Sequence, residues 1–558
     1  MADTFRGMMR SILDDIYPIV VSTQDAHGKS YNVQGTFTLY GQCTGRYYAT
    51  LYKMPKSRYY RDADTLAKAV ASWEFYYSLT QEDGKTRLIT FDQEWGYSYE
   101  EWNTLHWIET LRLLKEDLPE ETYRRWKARA DRSCEGLYEG VRTAFESEEF
   151  RELLKRHQVA NHFLWQTACV YRWAQKEGKR DVLAYCDSVM TAAAAAQLPY
   201  GTWYEGGGLV VSYAYTSFGA FAAYCGYCKN QNQAAAEALR RCVRYLSACS
   251  YDDLSAMDPI DGRNHFKKST GMAYMAGSLI GEEGVLSFTA RHLRLLRESA
   301  NNGIARGHQA LGFFLVSYDG MPEDAEMPDE RVSPADGENF VVPEEAQNVL
   351  RHGGFRVPMC AKRMDENYLQ NRWILDRSCL VSVWHEKTGL LLGGGHSKAD
   401  ENFASFSVTA DGCTRYLPEN GAVMENGISM DYGQIHCSIQ AAFEDDRVTL
   451  TYKADGLPQT ARVVARIPLW IQPYETITVD GAEVSTKAPV RCDCLEIAMG
   501  QARILCPDGV TVDGPRYRFN PYMQKQSPED ALRAMVLHMP LDYTCPEASV
   551  TVIVSGSK

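Results

Sequence analysis

Leu105-His106-Trp107-Ile108-Glu109-Thr110-Leu111-Arg112-Leu113-Leu114 returns apolar residues at 105, 107, 108, 111 and 114, the spacing of one buried face of an α-helix. The same period recurs at Leu153, Leu154, Val159, Phe163 and Leu164, and it governs the chain from about residue 64 to about residue 300. Asp117-Leu118-Pro119 and Gly178-Lys179 are stop signals that leave connections short enough for neighbouring helices to run antiparallel. This half therefore predicts stacked helical hairpins. The five alanines Ala192 to Ala196 either allow close helix approach or are simply a strong helix former.

Beyond about residue 305 the pattern changes to short runs read as strands: Phe313–Tyr318, Cys379–Trp384, Arg447–Tyr452, Ala461–Trp470, Leu495–Met499, Ala534–His538 and Ser549–Val554. Turns such as Asp480-Gly481 and Asp508-Gly509 separate them. Many strands with no helices between them predict antiparallel sandwich sheets rather than a parallel α/β sheet. The acidic stretch Asp319–Glu345, with Pro322, Pro328, Pro334 and Pro343, reads as a crossing or a surface excursion, and the boundary is placed near residue 310. The expected organisation is multidomain α+β: residues 1–60 as a cap or lead-in, 61–310 as the helical domain and 311–558 as an antiparallel β-sandwich. Within 1–60, the runs Val33–Leu39 and Tyr47–Leu51 leave cap and lead-in open.

Composition narrows the function classes. The chain has 558 residues, of which 45% are hydrophobic and 23% charged, so it reads as a folded protein rather than a disordered or fibrous one. With 59 Lys plus Arg against 72 Asp plus Glu, the net charge of −13 argues against nucleic acid or an anionic membrane as partner. No stretch approaches the roughly 20 apolar residues that span a bilayer. The opening MADTFRGMMRSILDDIYPIVVS has no secretory pattern, and a cytoplasmic location is expected. The 16 cysteines are scattered through a long chain and are expected to be reduced. Aromatic residues, with 34 Tyr and 11 Trp, suit sugar-stacking walls and large helix interfaces equally.

Three stretches carry candidate chemistry. In Ala160-Asn161-His162-Phe163-Leu164-Trp165, Asn161 and His162 diverge by roughly 100° on a helix, so they share a ligand only from a helix end or along a cleft wall. A capping Asn beside a satisfied interfacial His is the plain alternative. Tyr200-Gly201-Thr202-Trp203-Tyr204-Glu205-Gly206-Gly207-Gly208, followed by Ser212-Tyr213-Ala214-Tyr215, combines a bendable backbone with rings that stack on sugars and a carboxylate that accepts hydroxyl protons. An inter-helix loop with an aromatic staple would look the same. Asp258-Pro259-Ile260-Asp261-Gly262-Arg263-Asn264-His265-Phe266-Lys267-Lys268 is a basic island in an acidic chain, suited to a carboxylate or sulfate, or else a solvated turn; Arg306 and His308 are candidates to join it.

Helices followed by antiparallel strands, together with Asn161-His162, Gly201–Gly208 through Tyr213-Ala214-Tyr215, and Asp261-Gly262-Arg263-Asn264, resemble the heparinase II/III, alginate and related polysaccharide lyases. The resemblance implies an (α/α) toroid followed by a β-sandwich, over most of the chain. It also implies β-elimination on a uronate-containing oligosaccharide or polysaccharide. Trp384-His385-Glu386-Lys387 through Gly393-Gly394-Gly395-His396 is only loosely like the histidine-containing metal-site strand of some such lyases, which puts a structural metal in doubt. No cofactor is expected, and a homo-oligomer is allowed.

Elimination needs neutralisation of the uronate carboxylate, a base for the C5 proton and an acid for the leaving O4. Asn161 with Arg263 fits neutralisation, His162 or His265 the base, and Tyr213 or Tyr215 the acid. On a regular helix the two tyrosines point to opposing sides, so at most one serves. Trp203, Tyr204, Glu205, Lys267, Arg306 and His308 are the expected substrate contacts. The competing enzyme reading is an inverting glycoside hydrolase with Glu205 and either Asp258 or Asp261 as its carboxylates. A third is a glycan-binding protein without catalysis. Cys225 and Cys228, with Cys242 and Cys249, are read as structural cysteines rather than metal ligands, and His385 and His396 as exposed strand histidines rather than a paired ligand.

Overall fold

The computed structural model describes residues 4–32, 35–205, 208–263, 283–298, 308–321, 323, 325–328, 337–364, 371, 374–394, 398, 400–471, 476–486, 488–517 and 533–556. Two compact units result. The first comprises Met1–Glu205, Tyr213–Ser247 and Thr270–Pro334; the second comprises Gly206–Ser212, Ala248–Ser269 and Ala335–Lys558.

The first unit is helical from its start. Its helices include Phe5–Asp15, Thr44–Lys53, Ala63–Leu79, Glu101–Leu114, Glu120–Glu146, Asn161–Glu177, Arg180–Ala195 and Val211–Cys228. The chain states its own helix boundaries. Asp62 and Ser147 accept the backbone N–H groups of Thr65 and Phe150, and Gly178 ends Asn161–Glu177 in the left-handed region at φ 68°, where glycine carries no Cβ penalty. Pro119 stands just before Glu120, as its stop-and-start position predicts. The tyrosine-rich run Tyr47–Leu51, left open between cap and lead-in, is helix: Tyr47 and Tyr48 are fully buried around Tyr17, and packing overrides their strand propensity. A two-stranded antiparallel hairpin, Thr86–Thr90 with Gln93–Ser98, interrupts the helices.

One strand reading is overturned. Phe313–Tyr318 lies inside the helix His308–Gly320, with Phe313, Phe314, Leu315 and Val316 all buried. A continuous apolar run has no period that separates strand from buried helix, and the surroundings decide.

Among the described residues the second unit holds a nine-stranded and an eleven-stranded antiparallel sheet. In Arg447–Asp455 the alternate residues Val448, Leu450, Tyr452 and Ala454 are buried, the expected period of two. The strand pairs with Ile435–Glu444 on one side and Glu547–Val554 on the other. In the other sheet Arg462–Ile471 pairs with Arg533–Leu541. Residues of both sheets, among them Val448, Leu450, Ile467 and Leu469, share one apolar core. Asp480 and Gly481, both at positive φ, close the hairpin between Ile477–Val479 and Ala482–Val484. Among the described residues no helix is long and apolar enough to cross a membrane.

The second unit also takes two segments from the helical half of the sequence. Arg377, 1% exposed, donates from Nη2 to the carbonyls of Leu209 (2.5 Å) and Ile260 (3.0 Å), tying both segments to the sheet-bearing part of the chain. Gly262 adds a backbone ladder, donating to Leu209 O and accepting from Leu375 N.

Candidate active site

In the helical unit the candidate residues converge at the start of Asn161–Glu177. The cap position is Ala160, so Asn161 is not the capping side chain; instead its backbone N–H donates to Glu205 Oε2 at 3.1 Å. Glu205 is brought there by a short parallel bridge, in which Tyr204 N donates to His157 O at 2.8 Å. The Asn161 carboxamide is left with a donor to spend: the residue is 1% exposed, and its Nδ2 has no hydrogen-bond partner among the described residues. A buried amide donor without an acceptor costs on the order of 1–3 kcal/mol, and a ligand acceptor would relieve that cost.

His162, the next residue, keeps 49% of its side chain exposed. Its Nδ1 lies 2.6 Å from Oε1 of Glu101, a carboxylate 4% exposed at the first position of Glu101–Leu114, and its ring leans on Trp102 with centroids 4.7 Å apart. Desolvation by the surrounding protein presses the imidazole pKa down, but the hydrogen bond and charge of Glu101, with Glu205 and Glu100 behind it, prevail and hold it above the ordinary 6.5. Glu100 caps the same helix by accepting from Trp102 N and Asn103 N, both at 2.9 Å. Burial, and then the charge of Glu101, push its carboxyl up to about 8. Sequence reasoning missed Glu100 and Glu101. Their only local signal is a carboxylate pair at a helix start, which reads as capping.

The two tyrosines fall on the helix Val211–Cys228, two positions apart, and so point to different sides as expected. Tyr215 is 3% exposed, whereas Tyr213 is half-buried. Trp203 is not a sugar platform: it is 4% exposed, stacked on Phe221 with centroids 5.0 Å apart, and its Nε1 donates to Ala193 O at 2.8 Å. Its ring is spent on the core. Tyr204 remains half-buried beside Glu205.

In the second unit, Asp258 and Asp261 are both 0% exposed. Asp258 accepts from Tyr251 Oη at 2.8 Å, Ser382 Oγ at 2.7 Å and Gly394 N at 2.9 Å. Asp261 accepts from Ser212 N at 2.7 Å and from Arg263 N at 2.9 Å. Carboxylates so enclosed and so bonded are structural clamps, and the pair expected for hydrolysis loses its second member. Arg263 is half-buried and belongs to this unit, not to the helical one where the sequence placed it. His265, Lys267 and Arg306 lie outside the described residues, as does the side chain of His308, whose backbone opens His308–Gly320.

Of the two histidines in the metal-strand resemblance, only His385 is among the described residues, and it is buried rather than exposed. His385 is fully buried, edge-on to Phe355, with Nδ1 accepting from Lys387 N at 3.2 Å, and His396 lies outside the described residues. Among the described residues no three His, Cys, Asp or Glu side chains gather as metal ligands. Cys225, Cys228, Cys242 and Cys249 are buried, and none is in a disulfide among the described residues.

Comparison with solved structures bears on the fold. A xanthan lyase from Paenibacillus superposes with a TM-score of 0.50 at 10% identity, over 99% of this chain and 57% of that one. The fold neighbours of this chain are polysaccharide lyases. They include a heparan sulfate lyase from Pedobacter heparinus, at 11% identity over 93% of this chain and 77% of that one, TM-score 0.48. They also include a chondroitin AC lyase from Streptomyces coelicolor A3, at 12% identity over 98% and 80%, TM-score 0.48. At such identities the likeness is one of fold alone. No protein-family model and no curated protein matches the sequence.

Proposed function

We propose that this chain is a polysaccharide lyase, an (α/α) toroid followed by a β-sandwich, that cleaves a uronate-containing glycan by β-elimination. The observation that carries the reading is Asn161 beside His162: a buried amide donor with no acceptor among the described residues, next to an imidazole whose Nδ1 is already held by a carboxylate. That combination suits a substrate whose carboxylate takes the amide hydrogen bond while the neighbouring C5–H faces a base.

In the proposed step Nε2 of His162 takes the C5 proton. The C5–H electron pair forms the C4=C5 double bond, the C4–O4 bond breaks, and Tyr213 protonates the departing O4. Stabilisation of the carboxylate as charge builds at C5 falls to Asn161. The lyase reading is favoured over hydrolysis because Asp258 and Asp261 are closed to solvent and committed to hydrogen bonds.

The test is incubation with a panel of uronate oligosaccharides, following ultraviolet absorbance of the conjugated C4=C5 bond and new reducing ends in parallel. Both signals rising together is the expected result, and it should vanish in Asn161→Ala and His162→Ala. Reducing ends without the ultraviolet band would overturn the reading in favour of hydrolysis.

A further inference from the structure

We infer that Glu101 is a positioning residue that fixes His162 with its Nδ1–H bonded inward and its Nε2 lone pair turned to the substrate. The inference rests on the proposed lyase reading for its functional meaning, and on the geometry of one helix start against another for its substance.

A neutral imidazole has two tautomers, and only one presents Nε2 as a base. Which one is populated is set by the partner of the other nitrogen. Here that partner is Glu101 Oε1 at 2.6 Å, close enough for a charge-assisted bond. Trp102, the residue after Glu101, lies against the imidazole ring at 4.7 Å, so two consecutive residues of one helix hold the ring by an edge and by a face. Glu101 is itself anchored by being almost fully buried, while the first backbone donors of its helix are taken by Glu100 and not by Glu101. The division of labour leaves the Glu101 carboxylate free to face His162. The acidic groups bearing on the imidazole are Glu101 at the helix start, Glu205 from the segment after Tyr204, and the cap residue Glu100, whose own carboxyl is pushed up to about 8 and so adds its charge only toward alkaline pH. They favour a developing imidazolium, the species a base becomes as it takes a proton.

The experiment uses the full chain with nitrogen-labelled histidine, in wild type, Glu101→Gln and Glu101→Leu, with the His162 resonance assigned through His162→Gln. In wild type, NMR should show neutral His162 with the proton on Nδ1, titrating above the ordinary histidine value. Glu101→Gln removes the charge and should bring that titration down; Glu101→Leu should release the tautomer preference. On a cleaved glycan, Glu101→Gln should lower kcat by roughly tenfold or more with KM little changed, and move the acid limb of the pH profile to lower pH. A wild-type His162 protonated on Nε2, or one whose titration and tautomer are unmoved in the variants, overturns the inference. If wild type cleaves no glycan, the lyase reading fails while the NMR arms still decide the role of Glu101.

Discussion

Ser382 donates its hydroxyl hydrogen bond to Asp258 across 2.7 Å, joining residues 124 positions apart inside the second unit. With Tyr251 and Gly394 this gives one buried carboxylate three donors. Asp258→Ala removes the acceptor all three share and is expected to lower stability by about 3 kcal/mol, read as a fall in the urea midpoint. A variant as stable as wild type that had lost only hydrolytic activity would restore Asp258 as a catalytic carboxylate.

Asn161→Ala should separate function from folding. Because the Nδ2 donor is buried without a partner among the described residues, its removal is expected to cost less than about 1 kcal/mol, far below an ordinary loss of a buried hydrogen-bonded amide. Elimination should fall by roughly 10²-fold or more in the same variant. Thermal melts and the ultraviolet assay on one preparation check both halves.

Glu109 has 1% side-chain exposure and meets Arg172 Nε at 2.6 Å, Arg112 Nε at 2.8 Å and Lys176 Nζ at 3.2 Å. Burial acts to raise its pKa, but Arg172, Arg46 and Lys176 outweigh this and hold the carboxyl well below 4.5. A depressed carboxylate contributes stability that is present above the unfolded value and lost as pH falls toward the folded one. Glu109→Gln is therefore expected to cost about 3–5 kcal/mol at neutral pH. Its loss of stability below pH 4.5 should be shallower than in wild type, measured by urea denaturation across acid pH.

Trp203→Phe keeps an aromatic face against Phe221 and loses the indole bond to Ala193 O, so about 1 kcal/mol of stability should go while KM for any cleaved glycan stays unchanged. A several-fold rise in KM with stability intact would return Trp203 to the substrate.

Sequence carried the elements whose signals are local. The alternation of Arg447–Tyr452, the stop at Gly178 and the turn at Asp480-Gly481 are each written within a few residues, and each is found. Phe313–Tyr318 failed because an unbroken apolar run contains no period; only the packing of the helical unit makes it helix. Within the candidate site, Asn161 and His162 are legible in the sequence as a polar pair amid apolar neighbours. The carboxylate that holds His162 is not, since it stands 61 positions earlier and declares itself only when two helix starts meet. Asp258 and Asp261 misled for the converse reason. Acidic residues in a Pro- and Gly-bearing loop look solvent-facing until their donors arrive from Ser212, Ser382 and Gly394.

Arg377 reaches the carbonyls of two segments that lie more than a hundred positions upstream, so the second unit is assembled from three separate stretches and the chain passes between units five times. Neither unit can therefore be inherited as a cassette. A crossover at any single codon that swapped the sheet-bearing half for a foreign one would leave Leu209 and Ile260 without their guanidinium, and Asp258 without Ser382 and Gly394. Lineages of this architecture should diversify by substitution and loop insertion, with both halves keeping a common ancestry along the whole length of the gene.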